Sequence, residues 1–121
     1  MIDGLAGVLL YTTADRWAAM AAFYNDALAL PVRHRRAGFV NFDFGGQRLT
    51  IAVHDRLRGA ALDPERIMVN LSTGDIVAEA DRLRAAGVDF VRPPERERWG
   101  GWVATMRDPD GNLVQLLQLA P

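Results

Sequence analysis

The chain reads as an α+β protein made of two tandem copies of one unit, each running strand, helix, strand, strand, strand. Three observations predict this. The same order of apolar alternation and helical spacing occurs twice. Asp43-Phe44-Gly45-Gly46-Gln47-Arg48-Leu49-Thr50-Ile51 lines up with Asp108-Pro109-Asp110-Gly111-Asn112-Leu113-Val114-Gln115-Leu116, which brings Asp, Gly and an amide residue to matching places. Asp15 and Asp75 mark matching helix starts.

The first unit spans about 5–54. Residues 5–12 are mostly apolar and read as a buried strand. Thr12, Thr13 and Asp15 offer helix caps, and a helix fits 14–28. Trp17, Ala21, Tyr24 and Leu28 share one face of it, widened by Met20, Phe23 and Ala27. Pro31 ends it. Strands follow at 32–36, 39–44 and 47–54, turned by Ala37-Gly38 and Gly45-Gly46.

Residues 55–65 form a polar connection, and a second unit spans about 66–119. It opens with a strand at 66–72. Thr73 or Asp75 caps a helix over 75–86, with Ile76, Ala80 and Leu83 on its buried face and Gly87 as its stop. A strand at 88–92 is broken by Pro93-Pro94. The loop from Glu95 to Gly101 leads to strands at 102–107 and 113–119.

Composition narrows the function. The 121 residues suit one domain, and half are hydrophobic, enough for a core. A net charge of −1 with interspersed signs gives no electrostatic footprint for nucleic acid. No apolar run approaches a membrane span, there is no cysteine, and the N-terminus lacks a secretory pattern, so a cytoplasmic protein is expected. All 14 basic residues are arginine, which reads as codon bias.

The final turn, Asp108-Pro109-Asp110-Gly111-Asn112, is good turn chemistry. Proline fixes φ, the Asx side chains bond locally, and Gly111 supplies a positive φ. The strand after it is apolar except for Gln115 and Gln118, and a polar side chain there needs a partner. Thr50 is the first-unit counterpart of Gln115.

With Phe23-Tyr24 late in the first helix and Trp99-Gly100 before the Asp-Pro-Asp-Gly-Asn turn, the whole chain resembles the vicinal oxygen chelate superfamily. That group holds the glyoxalases, extradiol dioxygenases and bleomycin-resistance proteins. The resemblance implies two βαβββ modules forming an open eight-stranded mixed barrel, helices outside and a cleft on the inner face. It also implies a homodimer.

Enzymes of this superfamily commonly hold a divalent metal through a His early in the first strand of each module and a Glu or His in the last. Here the first-strand windows are Gly7-Val8-Leu9 and Arg66-Ile67-Met68, and the last-strand places are Thr50 and Gln115. None is a good ligand for a transition metal. The expectation is therefore no metal, no cofactor and a relative of the bleomycin-resistance type.

Strand alternation places Thr50, Ala52 and His54 on one face, and Met68, Asn70 and Ser72 on the corresponding face of the second unit. Thr50, His54, Asn70 and Gln115 are then candidate ligand-binding residues, as a few placed polar groups suit a small-molecule cleft. Trp102 and Phe42 are candidates for stacking on a planar ligand, and Arg48 for an acidic group. Trp99 reads as a loop anchor. Trp17, Phe23 and Tyr24 read as core or dimer packing, and His34 as exposed.

The expected function is metal-independent binding of an aromatic natural product or antibiotic, with no nucleic-acid or membrane partner. The alternative is an enzyme: a glyoxalase- or dioxygenase-like lyase, isomerase or oxygenase with an atypical metal site, or a metal-free acid/base catalyst using His54, whose side chain ordinarily titrates near neutrality.

Overall fold

A computed structural model describes residues 1–120. The strands are β1 (Gly7–Thr12), β2 (Val32–Arg36), β3 (Phe39–Asp43), β4 (Arg48–Val53), β5 (Met68–Ser72), β6 (Phe90–Arg96), β7 (Trp102–Arg107) and β8 (Leu113–Gln118). The helices are α1 (Trp17–Ala21), continued by a π-helical segment at Ala22–Ala27, and α2 (Ile76–Ala85). Two compact units divide the chain, the first Met1–Ala60 and the second beginning at Ala61, and each contains one βαβββ module.

In the first unit the sheet order is β1-β4-β3-β2. β1 runs parallel to β4, and the other neighbours are antiparallel. The second sheet repeats this as β5-β8-β7-β6, again with its first and last strands paired in parallel. The architecture is thus α+β, with two mixed four-stranded sheets. β4 and β8 are each six residues long, and Thr50 and Gln115 are each the third residue, as the internal duplication requires.

Each core forms where one face of a helix meets one face of its own sheet. In the first unit Met20, Ala21, Phe23, Tyr24 and Leu28 are buried, as are Val40, Phe42, Leu49 and Ile51 from the sheet. In the second, Ile76, Ala80 and Leu83 are buried with Ala104, Met106, Val114 and Leu116. Complete burial of the larger of these, such as Met20, Phe42, Ile51, Ile76 and Leu83, contributes roughly 1.5–3 kcal/mol each.

Three elements differ from the sequence expectation. The first helix begins at Trp17, not 14, and its second half is a π-helix. The Leu28 N–H donates to the Phe23 carbonyl at 2.9 Å, one residue wider than an α-turn. The wider turn lets Phe23, Tyr24 and Leu28 all enter the core. The first strand of the second unit begins at Met68, because Pro64–Arg66 form a short 3₁₀ turn held by an Arg66–Asp63 ion pair at 2.6 Å.

The third difference is β6, which begins at Phe90 and runs through Pro93-Pro94 to Arg96. It is the edge strand of its sheet, and its register with β7 shifts between Arg92 and Glu95. An edge strand can aim a missing N–H outward, and a bulge absorbs the rest.

Candidate functional site

Cross-strand partners share a face, so the ladders show which side chains can act together. In the first sheet one row runs Leu9, Thr50, Asn41, His34 across β1, β4, β3 and β2. The next row holds Tyr11, Ala52 and Phe39. His54 follows β4 by one residue and keeps the same alternation.

At the centre of this face Asn41 donates from Nδ2 to Oγ1 of Thr50 at 2.8 Å. Both residues are buried, Asn41 at 5 % exposure and Thr50 at 8 %. The Asn41 Oδ1 has no hydrogen-bond partner among the described residues. Sequence reasoning passed over Asn41, although the signal was present: a polar residue between Val40 and Phe42, the pattern that had singled out Gln115.

His54 lies at the end of the face. Its ring meets Tyr11 edge-on, with centroids 5.1 Å apart. Its Nδ1 accepts the Arg56 N–H at 3.1 Å. An accepting Nδ1 places the ring proton on Nε2, so neutral His54 offers a donor and no free basic lone pair.

Arg48 is also engaged. It sits opposite Asp43 in the ladder, with the guanidinium 3.7 Å from the carboxylate. Asp43 in turn accepts the Gly46 N–H at 2.6 Å, so the pair braces the β3–β4 turn. Phe42 is not on this face at all. It pairs with Leu49, is completely buried, and belongs to the helix side, because alternation turns it away from Asn41. Its expected stacking role is corrected to a core role.

The matching row of the second sheet is Asn70, Gln115, Thr105, Arg92. Gln115 donates from Nε2 to Asn70 Oδ1 at 3.1 Å. That bond leaves Gln115 Oε1, the second Gln115 Nε2–H and Asn70 Nδ2 as groups this pair has to offer. Arg92 is clamped by Glu95 at 3.1 Å and Glu97 at 2.9 Å, and the hydrogen bonds to Glu95 and then Glu97 raise its pKa further.

Trp102 pairs with Gln118, one residue out of phase with Gln115, so it faces the α2 side. Trp102, a candidate for stacking on a planar ligand, therefore does not share a face with Gln115. Gln118 is structural, since its Oε1 accepts the Ile76 N–H at 2.7 Å and caps α2. Trp99 lies over Gly101, where an added Cβ would fall 1.9 Å from the indole ring, so it anchors its loop.

The Asp-Pro-Asp-Gly-Asn turn is also structural. The Asp108 carboxylate accepts from the Asp110 and Asn112 backbone and from the Asn112 side chain, each at 2.9 Å.

At the places where the superfamily holds metal, the ladders put Leu9 with Thr50 in the first unit and Asn70 with Gln115 in the second. The residue paired with Gln115 is Asn70, two positions beyond the expected window, because β5 starts late. A hydrocarbon, a hydroxyl and two mutually bonded amides do not fit a divalent transition metal, which takes imidazole, thiolate or carboxylate donors. Among the described residues no other cluster of three or more such donors exists.

The model of the Glyoxalase/Bleomycin resistance protein/Dioxygenase superfamily matches residues 9–116. The chain belongs to that superfamily. An uncharacterised protein of Shewanella frigidimarina is 41% identical over 54 residues, covering 45% of this chain and 39% of that protein. This chain therefore aligns with about two fifths of that relative's length. The protein YraH of Bacillus subtilis is 25% identical over 109 residues, covering 80% of this chain and 85% of YraH. The crystal structure of lactoylglutathione lyase from Agrobacterium tumefaciens shares the fold with a TM-score of 0.70 and 23% identity, covering 98% and 95% of the two chains. At that identity the likeness concerns fold alone.

Proposed function

We propose that this protein binds a small planar molecule without a metal, sequestering or carrying an aromatic natural product or antibiotic. The observation that carries the reading is the donor set. Where superfamily enzymes carry charged or imidazole ligands, this chain carries Leu9 and Thr50 in the first unit and Asn70 and Gln115 in the second, with Asn41 bonded to Thr50 from the neighbouring strand. Neutral amides and a hydroxyl orient a ligand by hydrogen bonds and supply no Lewis acid. Tyr11, Phe39 and Leu9 frame the first pair with flat or apolar surface.

The enzymatic reading has less support. A metal-dependent lyase or oxygenase needs ligands that these positions lack. A metal-free base would have to be His54, and the Arg56 N–H occupies the nitrogen lone pair of its resting tautomer. The protein is further proposed to act as a cytoplasmic homodimer. No helix among the described residues is long and apolar enough to cross a membrane.

Tryptophan fluorescence titrated with a panel of aromatic natural products tests the binding reading. Saturable quenching or enhancement by at least one compound is expected. Flat titrations throughout, together with stoichiometric metal in protein purified without chelator, would overturn it in favour of an enzyme.

A further inference from the structure

We propose that Asn41 and Thr50 form a two-point receptor selecting ligands that carry an N–H donor beside a carbonyl acceptor, as on the edge of a planar lactam or imide. The inference rests on the binding reading above and names its ligand class.

The argument begins with what the pair leaves unused. Asn41 lies mid-strand in β3 and is almost wholly buried. One of its Nδ2 hydrogens goes to Thr50, and its Oδ1 has no hydrogen-bond partner among the described residues. A buried carbonyl without a partner is a stability cost, and such exceptions in a folded protein call for a reason. The Thr50 hydroxyl accepts from Asn41 and keeps its own proton to donate. Side by side, the pair therefore offers the Asn41 Oδ1 as acceptor and the Thr50 hydroxyl as donor, with the second Asn41 Nδ2–H also unused. The complementary edge is a donor next to an acceptor.

The pair itself is uncharged, and its flanking residues favour a flat molecule. The one charged side chain close by in β4, Arg48, is committed to Asp43. Leu9 and His34 flank the pair in its row, and both are exposed. Tyr11 and Phe39 lie in the adjacent row, the Tyr11 ring against His54 and the Phe39 ring under the Arg36 guanidinium at 4.0 Å, so the nearby rings are aromatic and partly engaged. The Asn70–Gln115 pair lacks this character. Asn70 is exposed, so water can satisfy what that pair leaves over. Discrimination falls to the buried pair, because a site whose buried groups go unpaired rejects the wrong ligand most strongly.

The probes are 2-quinolone, which carries the N–H beside the carbonyl, and 1-methyl-2-quinolone, which lacks the donor. Titrations followed by ¹H–¹⁵N NMR report affinity and the shift of the Asn41 side-chain amide. The expected result is at least about tenfold tighter binding of 2-quinolone, with the Asn41 amide among the most shifted signals. In Asn41→Leu the ratio falls to near one, while the urea midpoint stays level or rises because the unpaired carbonyl is gone. Thr50→Val removes the donor that serves the carbonyl both probes share, so it is expected to weaken both by a similar factor, and this common loss tests the receptor if Asn41→Leu does not fold. Equal affinity for the two probes overturns the receptor and leaves the binding reading standing. Binding of neither overturns the receptor, while the binding reading falls only with the flat panel titrations and bound metal described above. A retained ratio in folded Asn41→Leu, or unchanged affinity for both probes in Thr50→Val, also removes the receptor.

Discussion

Ala29, Asp108 and His54 show how single residues carry cost or order in this chain. Ala29 follows the π-helical segment with φ +53°, the only non-glycine in the left-handed region among the described residues. A Cβ there costs roughly 1–2 kcal/mol, partly offset by the entropy glycine would lose on folding. Ala29→Gly is therefore expected to stabilise the protein by about 0.5–1 kcal/mol, read as a higher urea midpoint with unchanged slope. Asp108 makes the opposite case. Its carboxylate collects three donors at 4 % exposure, so Asp108→Ala leaves several buried groups unpaired. A loss of about 2–4 kcal/mol is expected in thermal or urea unfolding. For His54, long-range ¹H–¹⁵N NMR should find the Nε2–H tautomer of the neutral ring. A dominant Nδ1–H form would return the acid/base reading to contention. Of these three, the turn role of Asp108 was legible from local chemistry. The left-handed Ala29 and the His54 tautomer were not, since each depends on where the chain goes next.

Elements were legible to the extent that periodicity alone sets them. The tandem βαβββ order and the alternation that puts Thr50 with His54, and Met68 with Asn70 and Ser72, follow from the strand period of two. Phe42 and Trp102 were placed by residue type rather than phase, and the ladders moved both to the helix side. The strand through Pro93-Pro94 was hidden for a different reason: proline excludes a central strand, and edge position is a property of sheet order, not of the segment. Gln118 is the instructive case among polar residues. It lies three positions beyond Gln115 in the same strand, faces the other way, and caps the start of α2 alongside Asp75, whose Oδ1 accepts the Ala78 N–H at 3.1 Å. Replacing either acceptor orphans one N–H. Gln118→Leu and Asp75→Ala are each expected to cost about 1 kcal/mol. The two losses should be roughly additive, because they serve different backbone groups. A double variant no less stable than either single one would show that water replaces these caps.

At the scale of the molecule, the two edges of the first sheet are unlike. β2 carries Arg33, His34, Arg35 and Arg36, all exposed, and such charge discourages further strand pairing. β1, the opposite edge, carries no charge from Gly7 to Thr12. Val8, Leu9 and Tyr11 on it are 40%, 57% and 45% exposed, and Leu5 just before it is 65% exposed. An apolar, unguarded edge is a liability for a lone chain and a natural seam for a second copy, whose cover would return roughly 25 cal/mol for each Å² of apolar surface removed from water. The expectation is a dimer, with sedimentation equilibrium giving twice the 13.4 kDa chain mass at micromolar concentration. Leu9→Arg puts a charge in the middle of the seam without touching either helix-side core. It should weaken the dimer by at least about tenfold, since a buried unpaired charge is costly, while the far-UV circular dichroism stays unchanged. A wild-type chain that sediments as a monomer throughout would mean that this edge stays open in solution. A variant that remains fully dimeric would move the seam to another surface.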